Sequence, residues 1–181
     1  MAVRNKIFAP NETYFITFTI LGWQKIFNSD KYCQLVFKWF DYVKNTYGNK
    51  IYGYVIMPNH VHCLMKFSLK SKPPAIVVFN AKRFLAYGII NLLKEDKNNR
   101  LLNFFAQNKT SLKAKHKVFE DRYDSLVVQS QKFFLQKLNY IHKNPCQEKW
   151  QLAKEPEEYV YSSAPNYVSG VGVYQIDIVD F

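Results

Sequence analysis

Two hydrophobic periods alternate along the chain. Tyr14 to Ile20 (YFITFTI) interleaves threonines with aromatic and β-branched residues, the mark of a strand. Ser29 and Asp30 then offer N-cap chemistry. They precede Tyr32, Leu35, Val36, Trp39, Phe40 and Val43, spaced i, i+3, i+4, i+7, i+8, i+11 as on one helix face, and Tyr47-Gly48-Asn49-Lys50 closes that helix. Ile51 to Ile56 and His60 to Phe67 read as two strands. The short break Met57-Pro58-Asn59 between them predicts an antiparallel hairpin.

A loop over 70–74 leads into a second helical stripe from Pro74 to about Glu95, built on Val78, Ala81, Leu85, Gly88, Ile89 and Leu92, with Lys82 and Arg83 off it. The stretch Asp96 to Lys117 is polar and irregular, and is expected to be a solvated loop or a mobile arm over nucleic acid. A strand within Val118 to Val128 and a helix from Gln129 to about His142 follow, the latter stopped near Asn144 by Pro145. The order β-α-β-β-α-β-α predicts an α+β fold, an antiparallel sheet with helices packed on it, in one domain over 1–181. The structure of the tail from about residue 165 is left open.

Composition narrows the partners. The 181 residues carry 25 Lys and Arg against 14 Asp and Glu, a net charge of +11, which calls for a polyanion: nucleic acid first, an anionic membrane surface second. Aromatic residues make up 17% of the chain and can stack on unpaired bases as well as fill a core. Uninterrupted apolar runs such as Ala75 to Phe79 are too short to span a bilayer. Cys33, Cys63 and Cys146 form no C-x-x-C pair, so a disulfide framework or structural zinc is not expected, and a reducing cytoplasm is the simpler setting.

Two local motifs carry chemistry. In a strand, His60 and His62 point to one face while Val61 points to the other, so both imidazoles can meet one metal ion; equally, they can be two satisfied histidines at a strand edge. Tyr140 and Asn144 are neighbours on one helix face, able to act as a nucleophile and a metal-ligating amide, or to be a half-buried tyrosine and a helix cap. Arg4, Lys6, Lys82, Arg83 and the cluster Lys109, Lys113, Lys115 and Lys117 are candidate DNA contacts from charge alone.

Taken together, YVIMPNHVHCL at 54–64, YIHKNP at 140–145 and YSSAPNY at 161–167 resemble the single-tyrosine HUH transposases, and among them the REP-associated tyrosine transposases of bacteria. The resemblance spans nearly the whole chain. It implies a ferredoxin/RRM-like HUH nuclease fold, with His60 and His62 as the HUH pair, Tyr140 as nucleophile and Asn144 completing a site for Mg²⁺ or Mn²⁺. It further implies a cytoplasmic enzyme that nicks and rejoins single-stranded or hairpin DNA through a 5′-phosphotyrosine, working as a monomer or homodimer. Whether Tyr140 serves its own HUH pair or a partner's stays open, and so does a domesticated hairpin-binding protein without turnover. Because a free phenol ionises only near pH 10, the tyrosine needs a nearby positive charge, a metal or a cation such as Lys143. The chain departs from the family pattern at Val127, Val128 and Gln129, where basic and acidic residues are common.

Overall fold

The computed structural model describes residues 8–109 and 115–179. Four antiparallel strands, β1 (Thr13–Ile20), β2 (Lys50–Met57), β3 (His60–Lys66) and β4 (Phe119–Val128), lie in the order β2-β3-β1-β4. The βαββαβ core with this order is the ferredoxin-like arrangement expected from the sequence.

Both faces of the sheet are covered. Because successive side chains alternate, Ile16, Phe18, Val61, Cys63 and Met65 point to one face, where α1 (Asp30–Tyr47) and α2 (Pro74–Glu95) close the larger core. Phe15, Leu64, Val55 and Met57 point to the other, under α4 (Gln131–Lys143). In β2 the parity switches at an irregularity between Ile51 and Gly53, so Ile51 joins the first core and Tyr52 the second. Gly53 is small for a reason: a Cβ there would sit 2.7 Å from Leu138 Cδ1, so the missing side chain lets α4 approach the strand.

Helix ends follow the sequence closely. Ser29 holds the N-cap position of α1 without a side-chain cap bond, and Gly48 closes that helix at φ 68°. Ser130 caps α4 by accepting the Phe133 N–H at 3.2 Å. The segment 96–117 differs from expectation, because it contains α3 (Asn99–Gln107). Asn98 caps it by accepting the Leu101 N–H at 3.2 Å, and Leu101 and Phe105, one turn apart, insert into the core. The lysines on either side hid this two-residue anchor.

Counting uninterrupted apolar runs also passed over α2. Among the described residues it is the one helix long and apolar enough by composition to cross a bilayer. Here its Val77, Val78, Ala81, Leu85 and Ile89 are buried in the core. The tail packs along β2: Ser162 bridges to Val55, a short helix α5 (Ala164–Ser169) follows, and the Asp177 N–H donates to the Ile51 carbonyl at 2.8 Å.

Candidate functional site

β3 sets His60 and His62 side by side on the α4 face, their ring centroids 4.6 Å apart and both side chains buried. Each is oriented by a second residue. Asn59 Nδ2 donates to the Trp23 carbonyl at 3.3 Å, which turns Asn59 Oδ1 towards His60, and His60 Nδ1–H donates to that oxygen at 2.6 Å. Thr17, paired with His62 across β1 and β3, places Oγ1 2.7 Å from His62 Nδ1. The Asn59 oxygen requires a proton on His60 Nδ1 and so leaves His60 Nε2 with its lone pair, the tautomer a metal-binding imidazole needs; the Thr17 hydroxyl can accept from His62 Nδ1–H in the same way.

Electrostatics keep both rings neutral. Burial, aided by the Lys149 ammonium, pushes the His60 pKa down to about 4. Burial holds His62 well below the usual histidine value, with His60, Lys137 and Lys149 adding to the effect. Buried polar atoms normally find partners. At this site His62 Nε2, Asn144 Oδ1 and Trp150 Nε1 have none within the protein. Two imidazole nitrogens and an amide oxygen, neutral and desolvated, fit a divalent cation that keeps open positions for oxygen ligands. Among the described residues no cluster of three or more His, Cys, Asp or Glu gathers, so the donor set depends on the amide.

Tyr140 faces this pair. Its ring meets His62 edge-on at 5.2 Å and Phe15 at 5.9 Å, while Phe15 stacks on His62 at 5.4 Å. Tyr140 is still 42% exposed, so the residue is open to solvent. Lys143, named from the sequence, is exposed at the end of α4. A second cation, Lys137, has its Nζ 5.8 Å from the Tyr140 ring centroid and 4.7 Å from that of Phe15. Three residues before the tyrosine, it shares its helix face. One turn beyond Tyr140, Asn144 is buried at the start of a 3₁₀ turn with Pro145, its Oδ1 being the unpartnered atom noted above.

α4 is tied down from its far side. His142 Nε2 lies 2.9 Å from Ser163 Oγ, and that oxygen also accepts the Tyr54 N–H at 2.9 Å. Burial lowers the His142 pKa to about 4, so the ring is a neutral hydrogen-bonding group. The YIHKNP and YSS motifs therefore meet in space.

The candidate DNA-binding cations separate into groups. Arg4, Lys6 and Lys113 lie outside the described residues. Lys82 Nζ is taken up by the carbonyls of Glu120, Asp121 and Arg122 at 2.8, 3.1 and 3.1 Å, and burial lowers its pKa to about 8. Lys117 bridges to Asp121 at 2.7 Å. Arg83, Lys109 and Lys115 are exposed; Arg83 and Lys115 line a groove between α2 and the start of β4, together with Lys94 and Tyr87.

Sequence reasoning missed Thr17, Asn59, Lys137, Ser163 and the two tryptophans beside His60, Trp23 and Trp150. Three of these had a signal: Asn59 sits inside the NHVH run, Ser163 inside YSS, and Lys137 one turn before the tyrosine. Thr17 and the tryptophans had none, because their proximity depends on strand register and loop course.

Residues 11–144 match the model of the family described as Transposase IS200 like. No curated protein matches the sequence. Among solved structures, the chain is similar to a REP-associated tyrosine transposase bound to a REP hairpin, with a TM-score of 0.66 and 16% identity over 100% of this chain and 95% of that one. A candidate transposase from Deinococcus radiodurans R1 matches with a TM-score of 0.42 and 16% identity over 78% of this chain and 95% of that one. At such identity the first likeness is one of fold.

Proposed function

The chain belongs to the IS200-like transposase family, and from that premise we propose that it nicks and rejoins single-stranded DNA at hairpin sites, with Tyr140 as the nucleophile. The observation that carries this reading is the packing of the Tyr140 ring against His62, beside buried His62 Nε2 and Asn144 Oδ1 atoms that lack partners.

In this reading the Tyr140 oxygen attacks the phosphorus of a scissile phosphodiester. A bond forms between Tyr140 Oη and phosphorus while the bond from phosphorus to the 3′ oxygen breaks. The phenolic proton leaves, and the departing 3′ oxygen takes one up. The product is a 5′-phosphotyrosine with a free 3′ hydroxyl, and attack by a 3′ hydroxyl on that linkage reseals DNA and restores the tyrosine. The ester energy is retained, so the cycle needs no nucleotide cofactor.

His60, His62 and Asn144 would hold Mg²⁺ or Mn²⁺. That ion, when bound, supplies positive charge beside the scissile phosphate. Asn59 fixes the tautomer of His60, and Thr17 holds the orientation of the His62 ring. Lys137 places positive charge beside the Tyr140 ring, favouring the approach of the DNA backbone. Phe15 and the tyrosine ring shield the histidines from water. Arg83, Lys109 and Lys115 are proposed contacts for DNA phosphates, the first and last from the groove they share; Lys82 and Lys117 have their charges engaged within the protein. The contact of Tyr140 with its own chain's His62 favours a tyrosine that serves its own HUH pair.

Covalent trapping tests the proposal. The protein is incubated with Mn²⁺ and labelled DNA hairpins bearing single-stranded flanks, then resolved on denaturing gels with mass spectrometry of the adduct. A label joined to Tyr140 is the expected result. Tight hairpin binding with no adduct would instead make the protein a hairpin-binding module without turnover.

A further inference from the structure

Trp23 is the most exposed tryptophan of the chain, 62% open to solvent, yet it stands on a turn held by several hydrogen bonds. The turn 21–23 leaves β1 through Gly22 at φ 59° and Trp23 at φ 56°. A non-glycine residue in this left-handed region is strained, and such strain concentrates where a side chain has to be presented in one direction. Hydrogen bonds fix the turn on every side. The Ile20 N–H donates to the Asn59 carbonyl at 2.8 Å, the Leu21 N–H to the Val118 carbonyl at 2.9 Å, and the Gly22 N–H to Glu120 Oε1 at 2.8 Å. The Trp23 carbonyl accepts from Asn59 Nδ2, and Asn59 in turn holds His60.

The indole therefore projects from a rigid base at a defined place, with its ring centroid 6.3 Å from that of His60. Cationic side chains neighbour the turn and His60. Lys25 is exposed two residues on, Arg100 Nη1 reaches Gln24 Oε1 at 3.4 Å, and the Lys149 ammonium acts on His60 from the other side. The facing carboxylate, Glu120, is occupied by the Gly22 N–H. A flat apolar ring, cations near its turn and a nucleophile across the histidine pair match the chemistry of an unpaired nucleotide: a base with a π face and a flanking phosphate.

We propose that the Trp23 indole is a stacking platform for an unpaired nucleobase of the single strand that runs past His60 into the cleavage site. The inference rests on the DNA-strand-transfer reading above and adds where the strand is held. Stacking is tolerant of base identity, so Trp23 sets the path of the strand, and sequence choice lies elsewhere. A base held there also fixes the neighbouring phosphate relative to Tyr140, the kind of orientation on which displacement rates depend.

Equilibrium binding in the Tyr140→Phe background, which removes turnover, is the test. The probes are a DNA hairpin with a single-stranded extension, the same hairpin blunt, and a set with one abasic nucleotide moved through the extension. The expected result is that Trp23→Ala weakens the extended hairpin about tenfold and leaves the blunt one unchanged, whereas Trp23→Phe keeps most of the affinity. One abasic position should reproduce the loss with Trp23 present and cost nothing further in Trp23→Ala. Equal affinity of Trp23→Ala and its parent for the extended hairpin overturns the platform, as does an equal loss on both hairpins or a parent that does not distinguish them. A parent that binds neither hairpin overturns the hairpin reading itself, and the platform with it.

Discussion

His142 Nε2 and Ser163 Oγ, 2.9 Å apart, join the helix that carries Tyr140 to the segment running along the outer edge of β2. His142 and Tyr140 are two residues apart and so face opposite sides of α4, and fixing one sets the direction of the other. Ser163 Oγ also accepts the Tyr54 N–H in a fully buried position. Ser163→Ala leaves the Tyr54 N–H and His142 Nε2 without this partner and is expected to cost about 2 kcal/mol, a fall in Tm of roughly 4–8 °C. Thermal denaturation followed by circular dichroism measures it. A Tm within one degree of wild type would show that the link carries no load.

Tyr140→Phe keeps the aromatic contacts with His62 and Phe15 and removes only the hydroxyl. Adduct formation and nicking are expected to vanish while hairpin affinity stays within about twofold, because exposed substitutions of this kind disturb stability by roughly 0.5 kcal/mol or less. Residual nicking at a tenth of the wild-type rate would move the nucleophile elsewhere.

Thr17→Val and Asn59→Ala each remove the partner of an imidazole Nδ1 without touching the Nε2 side. Groups of this kind are worth about 10–100-fold in metal affinity. Calorimetric titration with Mn²⁺ should show losses in that range for each. Changing both His60 and His62 to Ala should abolish binding and metal-dependent cleavage together. Full cleavage by the double variant in the presence of a chelator would contradict the site.

Arg83 and Lys82 are adjacent in sequence but differently placed, Arg83 exposed and Lys82 held by carbonyls of the protein. Arg83→Ala should lower the slope of log affinity against log salt for a DNA hairpin by about 1, the release of one phosphate contact. Lys82→Met should leave that slope unchanged, because its ammonium is bound by three carbonyls of the protein. Fluorescence anisotropy over a salt series separates the two.

Lys82 also has a pH signature. Burial brings its folded pKa down to about 8 from the ordinary 10.5, so between those values the unfolded chain binds the extra proton. Wild type should therefore gain stability relative to Lys82→Met as pH rises from about 8 towards 10.5. Paired urea melts across this window read the difference, and a difference that shrinks with pH would refute the assignment.

How much of this was legible beforehand depended on the range of the interaction. The helical stripe gives α2 its observed ends, and the alternation of the strand through His60 and His62 puts Val61 on the opposite face. α3 has no comparable signal, because Leu101 and Phe105 form only one apolar step in a run rich in lysine and asparagine. Lys82 and Lys117 count as free charge in the sequence. The partners of Lys82 lie in the first residues of β4, and charge counting along the chain cannot see a carbonyl 38 to 40 residues away; Lys117 pairs with Asp121 only four residues on, just past the lysine cluster.

By itself the sequence determined the kinds of elements, their order, and the pairs of groups that one strand or one helix must hold together: His60 with His62, Tyr140 with Asn144. Those follow from repeats of two and 3.6 residues, which are local properties of the backbone. Only the tertiary structure decided that Tyr140 meets His62, that Thr17 and Asn59 orient the imidazoles, that Lys137 lies beside the Tyr140 ring, and that Trp23 stands over His60. Each of these depends on strand register, on the close approach of α4 at Gly53, or on the course of a loop pinned at both ends. Those are set by packing between segments distant in sequence, for which the period of the chain carries no information.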